Sequence, residues 1–365
     1  MSAPIETIWP IEPHTEAKHR ILREWWNGWL PKIALSPQNT RVIYFEGFAG
    51  PGIYSAGQPG SPIVALKEAL SHTHRRRFEG KELIFYLVEE RRDRAARLKQ
   101  EIERFKPQIS PAWKTYVIEG DFVDTMQRTL DGLETKGSRL APTFAFLDPF
   151  GFGDLPMDLV ARILSYRQCD VLITFDVRDI NRFRDSPDHM DAINRCMGST
   201  SYRNDLPDDP DDRRTHFLRY YEEEIRRRVP GGHVRSFEVS GMQGPIYYLV
   251  GATKHKEGVR VMKRAMWSED RTGRYRFSDR TAGLTTLIEW FDEPGWNEKA
   301  ARLAHERFGG QKATVEQVED FVLFDTPYEF RRGIVTKLEE LRMVKEIRAV
   351  GPRGGLNPGS VIVFR

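Results

Sequence analysis

Five short apolar runs, each closing on a carboxylate, constrain the fold of this chain more than any other feature of its 365 residues. Residues 42–45 lead to Glu46, 83–88 to Glu89, 116–118 to Glu119 and Asp121, 143–147 to Asp148, and 171–175 to Asp176. Apolar, β-branched and aromatic runs of this length read as buried parallel strands, and helical patterns separate them. Such alternation predicts an α/β chain whose sheet presents its carboxyl ends along one ligand-lined edge. One strand ending in an acid is noise; five in the same register are an edge. The first run opens directly into a glycine-rich turn, Glu46-Gly47-Phe48-Ala49-Gly50-Pro51-Gly52. Glycine there lets the backbone take positive φ and come close to a bound group, although the same turn would serve as a plain tight connection.

The rest of the chain is arranged around that edge. Residues 14–30 read as a helix with Ile21, Leu22, Trp25, Trp26, Trp29 and Leu30 on one face, closed by Pro31; the tryptophans are expected to pack onto the next domain. Lys18 and His19 lie just before the stripe. Ser61-Pro62 begins a further helix. The run 72–77, His-Thr-His-Arg-Arg-Arg, reads as solvated surface, with phosphate contact as the other reading. Residues 178–240 read as a helical insertion, a cap over the ligand edge or a merely solvated one. Residues 246–253 resume the sheet and 259–267 return to helix. Residues 271–277 interleave basic and aromatic side chains, Arg274 and Arg276 among them, which suits stacking and phosphate contact or a basic turn. The expected divisions are an N-terminal helical segment over 1–38, a Rossmann-like domain over 39–293 and a third domain over 294–365. In the last, helices over 314–324 and 328–341 precede two short strands around a Gly/Pro-rich loop, the order of a winged helix. Arg331, Arg332 and Lys337 fall where a recognition helix places phosphate contacts. Winged helices also dock proteins, so this order alone does not settle the partner.

Composition narrows the class without choosing it. A net charge of +3 permits a nucleic-acid partner but does not demand one. Cys169 and Cys196 have no metal-binding spacing, and neither a disulfide framework nor a metal is expected. The first residues lack a signal-peptide pattern and no run of about eighteen apolar residues occurs. A cytoplasmic protein with no membrane partner is the expectation.

The edge meets the needs of a class I methyltransferase. The turn supplies Glu46, Gly47, Phe48, Ala49, Gly50 and Gly52 for the methionine part of S-adenosylmethionine. Glu89, with Glu90 as the alternative, is placed for the ribose, and Asp121 for the adenine amino group. Asp148-Pro149-Phe150 falls where amino-methylating enzymes hold an exocyclic amine and stack an extruded base. At these residues the chain resembles the amino-methyltransferases of nucleic acid bases, whose fourth motif carries a second proline that is absent here. It is similar over most of its length to the bacterial three-Cys-motif partner protein family, TcmP. The likeness lies at Lys18-His19, 46–52, Gly60-Ser61-Pro62, Glu89, 148–151, Asn181-Arg182-Phe183, 247–250 through Met262-Lys263, and the winged-helix-like tail. Glu46 stands where that family usually has Asp. The resemblance implies a separate radical-S-adenosylmethionine-like partner bearing the three cysteines, and a role in nucleic-acid modification or repair. The expectation is therefore a methyltransferase acting on nucleic acid, DNA before RNA. Its rivals are a non-catalytic adaptor of the same fold and a nuclease using Glu46, Glu89, Asp121 and Asp148 as metal ligands.

Overall fold

The structure, a computed structural model, describes residues 4–153, 155–242, 244–270, 274–281, 295–351 and 355–365. The chain forms two compact units, Met1–Glu269 with Arg276–Ala282, and Asp270–Tyr275 with Gly283–Arg365. Among the described residues no helix is long and apolar enough to cross a membrane.

The apolar runs become strands β1 (Arg41–Glu46), β2 (Glu82–Glu89), β3 (Lys114–Glu119), β4 (Thr143–Leu147) and β5 (Cys169–Phe175). With β6 (His233–Gly241), β7 (Gly244–Thr253) and β8 (Arg276–Ser278) they form a sheet in the order β3-β2-β1-β4-β5-β7-β6-β8. The pairs from β3 through β5 are parallel, while β7 runs antiparallel to both β5 and β6. Strand order reverses between β1 and β4, so their carboxyl ends lie side by side at the switch point where such sheets hold ligands. The sheet is therefore doubly wound and mostly parallel, with the expected edge.

Alternation along β1 sorts its side chains. Phe45 faces Phe122 and Met126 of α5 (Phe122–Thr135), within the core that also takes α6 (Met157–Ser165). Tyr44 faces the other way, onto the tryptophans of α1 (Pro13–Ala34): Trp26 lies 5.1 Å from its ring, and Trp25 5.3 Å from Phe144 of β4. The three tryptophans thus pack, as expected, onto the Rossmann-like domain that follows them, covering one face of its sheet within the first unit. Helix α1 also runs through Pro31, where closure was expected. Proline removes the N–H that would bond the Asn27 carbonyl. His72 Nε2 donates to that carbonyl at 3.1 Å instead, and the helix continues.

The stretch 178–240 differs from expectation. Helices α7 (Val177–Phe183), α8 (Pro187–Met197) and α9 (Pro210–Arg228) occupy its first part, and its end is strand β6. Phe217, Tyr221 and Ile225 of α9 enter the same core as Phe175 of β5, with the Phe175 and Tyr221 rings stacked at 4.3 Å. The segment is thus the connection from β5 to β6 and covers one sheet face. Polar Arg235 and Ser236 interrupt the alternation of β6, which hides it from a search for apolar runs. Between β1 and β2 come α2 (Ser61–Ser71), which packs on α1, and the single turn α3 (Arg75–Phe78); α4 (Arg92–Glu103) follows β2 and packs on β2 and β3, and α10 (Lys256–Glu269) packs beside α1. In α3, Arg75 is tied to Glu79 and to the Leu70 and Gln108 carbonyls, so the basic run is partly structural.

The second unit contains α11 (Gly295–Phe308), β9 (Lys312–Thr314), α12 (Val315–Asp325), α13 (Arg332–Glu340), β10 (Val344–Arg348) and β11 (Val361–Phe364). Its antiparallel sheet has the order β10-β11-β9. Ala300, Val318, Val322, Ile334, Leu338, Ile362 and Phe364 close a core of its own. Helix α13 starts four residues later than expected; the Thr326 hydroxyl donates to the Val322 carbonyl and accepts from the Tyr328 amide, holding Tyr328 in the turn that ends α12. Both α11 and β9 lacked a sequence expectation. The tip of the Gly/Pro-rich loop falls partly outside the described residues.

Candidate active site

The glycine turn leaves β1 between the tips of its two neighbours. Gly47 donates to the Phe146 carbonyl of β4 and Ala49 to the Val88 carbonyl of β2. Gly50 and Gly52 hold φ of +62° and +75°, the left-handed region that a side chain would strain. Gly47 serves packing: a Cβ there would lie 2.6 Å from the Phe122 ring.

The expected acids divide by location. Glu46 shares the Tyr44 face of β1 and is 0% exposed; it accepts from Tyr44 Oη at 2.8 Å and from Ser61 Oγ at 2.5 Å. Burial pushes its carboxyl up to about 8, against the pull of those two hydrogen bonds. It ties β1 to the head of α2 and does not line the cavity. Glu89 accepts from Gly50 N at 2.8 Å and Arg91 N at 3.0 Å, so it fixes the glycine turn from behind; burial raises its pKa in spite of those bonds. Asp121 caps α5, accepting from Asp124 N at 2.8 Å. The strands bring these acids to one edge as expected, but the side chains serve the scaffold.

A cavity of about 360 Å³ opens over the turn, within the range of small-ligand sites. Phe48, Ala49, Gly50 and Gly52 form its floor, and Asp148, Pro149 and Phe150 stand beside them. Further residues complete it: Glu12 at the α1 N-cap, Thr15 and Lys18 from α1, the strand-tip Asp176, Thr174, Tyr54, Tyr247, and Trp9 with its neighbours; of these, Glu12, Thr15, Tyr54 and Trp9 had no sequence expectation. Asp148 continues the alternation of β4 onto the α1 face, and Lys18 Nζ meets its Oδ2 at 2.5 Å. The ammonium is buried and lies 5.3 Å from the Tyr247 ring centroid. Lys18, noted in the sequence just before the apolar stripe, lies four and seven residues before Leu22 and Trp25 and so shares their helix face. His19, beside Tyr54, is driven down to about 3 by burial and then by Lys18, so it is neutral near pH 7. At the mouth Phe150 is 39% exposed and lies 6.2 Å from Trp9, with the Arg94 guanidinium 4.6 Å from the Trp9 ring.

This arrangement can hold a ligand against backbone on one side and present an oriented carboxylate on the other. Among the described residues no three His, Cys, Asp or Glu side chains gather as a metal-binding group. Cys169 and Cys196 are buried free thiols, pushed up to about 12 by burial. In the second unit Arg331 and Arg332 are exposed at the start of α13, with Arg331 5.6 Å from the Trp296 ring, while Lys337 pairs with Glu340 at 2.6 Å. Arg274 and Arg276 are both exposed, and residues 271–273 of the same stretch lie outside the described residues.

No family model and no curated protein matches the chain. Among solved structures it is similar to the O-methyltransferase from Bacillus cereus in complex with SAH, at 14% identity over 63% of this chain and 80% of that one, TM-score 0.34. A second is the O-methyltransferase TomG from Streptomyces achromogenes in complex with SAM, at 16% identity over 68% and 92%, TM-score 0.34. A third is a putative O-methyltransferase from Klebsiella pneumoniae, at 14% identity over 67% and 92%, TM-score 0.32. Likeness of this degree carries no argument, and the fold rests on the strand order and direction given above.

Proposed function

We propose that the first unit is a class I methyltransferase that binds S-adenosylmethionine and methylates a nucleic acid base. The observation that carries this reading is the placement of Asp148-Pro149-Phe150 beside the glycine turn, over one cavity at the switch point between β1 and β4. The positive-φ glycines fit the group: their bare backbone forms the floor along which Phe48, Ala49, Gly50 and Gly52 would hold the methionine part. Glu89 and Asp121 would have to give up backbone hydrogen bonds to reach the ribose and adenine. The cofactor supplies an electrophilic methyl group, and transfer is an in-line displacement that depends on positioning.

The chain's residues supply that positioning. Lys18 holds the Asp148 carboxylate oriented, so that it accepts from an exocyclic amine. Phe150, exposed at the mouth, offers a face for an extruded base. In the second unit, whose order of helices and strands fits a winged helix, Arg331 and Arg332 are placed for backbone phosphates, with Lys337 and Arg274 as further contacts; Arg276, the remaining expected contact, belongs to β8 of the first unit. DNA is the preferred strand, and a three-Cys-motif radical-S-adenosylmethionine-like protein, as in the TcmP resemblance, is the proposed partner. A second reading, the non-catalytic adaptor, draws on the commitment of both Glu89 oxygens to backbone amides.

Calorimetric titration with S-adenosylmethionine and S-adenosylhomocysteine tests the cofactor step. Micromolar binding that is lost in a folded Gly50→Arg variant is expected, followed by methyl transfer to DNA or RNA pools. Binding without transfer to any pool, with the partner present, selects the adaptor; no binding by folded wild-type protein ends the methyltransferase reading.

A further inference from the structure

Residues 4–12 contain neither helix nor strand, yet they are held in place by a dense set of polar contacts. Arg91 Nη1 donates to the carbonyls of Pro4 at 3.0 Å and Ile5 at 2.8 Å. Arg94 Nη2 donates to those of Pro4 at 2.5 Å and Glu6 at 3.2 Å. Thr7 donates to Asp93, and Ser55 N to the Trp9 carbonyl at 3.0 Å. The apolar anchoring is confined to one end: Ile5 is 88% exposed, whereas the Trp9 ring meets Tyr54 edge-on at 5.8 Å. Pro4, Trp9 and Pro10 line the same cavity as the glycine turn, and a Cβ on Gly50 would lie 3.9 Å from the Trp9 indole.

The clasp and the floor share one residue. Arg91 uses its side chain on the segment and its amide on Glu89, whose other oxygen holds Gly50 N. A roof held mainly by guanidinium–carbonyl bonds can lift without exposing an apolar core, because water takes over the freed carbonyls and guanidinium groups, that of the buried Arg94 included. We infer that the segment Pro4–Trp9 is a latched roof over the ligand cavity, opening to admit and release what binds there and closing Trp9 onto it. This rests on the reading of the cavity as a cofactor site.

The test measures S-adenosylhomocysteine binding and release by surface plasmon resonance, with affinity from calorimetry, for wild type, Arg91→Ala and Asp93→Ala. Neither substituted residue lines the cavity. Loss of a few clasp bonds is expected to speed release about tenfold. Association should also quicken, affinity should weaken, and hydrogen exchange at the Ser55 amide should accelerate. Tighter binding in both variants would mean that the segment competes with the ligand, and would overturn the roof. Unchanged rates alongside faster Ser55 exchange would overturn it as well, leaving the cofactor reading intact. Absence of binding in folded wild type would remove the cofactor reading and the roof with it.

Discussion

Glu46 is a carboxyl with two hydrogen-bond donors and no counter-charge in contact, sealed beneath α1 and α2. Its value is raised from an ordinary 4.5 to about 8, mainly by burial. Between those two values the unfolded chain releases a proton that the folded chain keeps, so stability falls as pH rises through that window and levels off above it. Glu46 therefore favours the fold at pH 5 over pH 8.5, and Glu46→Gln should lower the urea midpoint at pH 5 relative to that at pH 8.5, compared with wild type. An equal pH dependence in the variant would mean that Glu46 is ionised in the fold. Lys18 makes the converse case, a buried ammonium whose partner is Asp148. Removing one member of a fully buried pair costs about 3–5 kcal/mol. Asp148 is 23% exposed at its side chain, so solvent recovers part of that penalty and Lys18→Met should cost about 1–3 kcal/mol. Combining it with Asp148→Asn should recover much of the loss, a non-additivity that a double-mutant cycle measures. Additive losses would place Lys18 in packing alone.

Elements were legible where one interaction dominated. Strands β2, β4 and β5, and most of β1, announce themselves because they are largely buried on both faces and read as near-continuous apolar runs, whereas the edge strand β3 shows only the short run 116–118. Strand β6, with one interrupted face, does not. Pro31 reads as a stop because a proline costs a helix its bond, and the sequence does not show that His72 takes the freed carbonyl. That the glycine turn and Asp148 meet at one cavity was legible, since backbone freedom and a strand-tip carboxylate are local properties. The α1 wall was not, because it depends on which face of β4 the helix covers. Alternation does explain, after the fact, why Glu46 turns inward with Tyr44. At the start of α12 the sequence is explicit: Thr314 and Gln317 form a reciprocal capping box. Thr314→Ala should cost the second unit about 1 kcal/mol, read as a lower melting temperature. Because the units have separate cores, the thermal transition of the first should not move; a shift of both together would show that they unfold as one.

At the scale of the molecule the reading separates two tasks: the first unit holds a small ligand, and the second a strand. That separation is itself testable. Arg331 and Arg332 begin α13 and are exposed, whereas Lys337 is partly neutralised by Glu340. If the two arginines each neutralise a phosphate, replacing both with alanine should weaken DNA binding by a similar factor for unrelated sequences. It should also reduce the slope of log affinity against log salt by about two, since each released counterion contributes about 0.9. The Lys337→Ala change should have a smaller effect, because its charge is already shared. Affinity for S-adenosylhomocysteine should stay at the wild-type value in both variants, since the residues lining its proposed cavity all belong to the first unit. Unchanged DNA affinity and salt slope in the double variant would remove α13 as the strand-binding element. The basic residues at 274 and 276 would then be the next to replace, in the same salt titration.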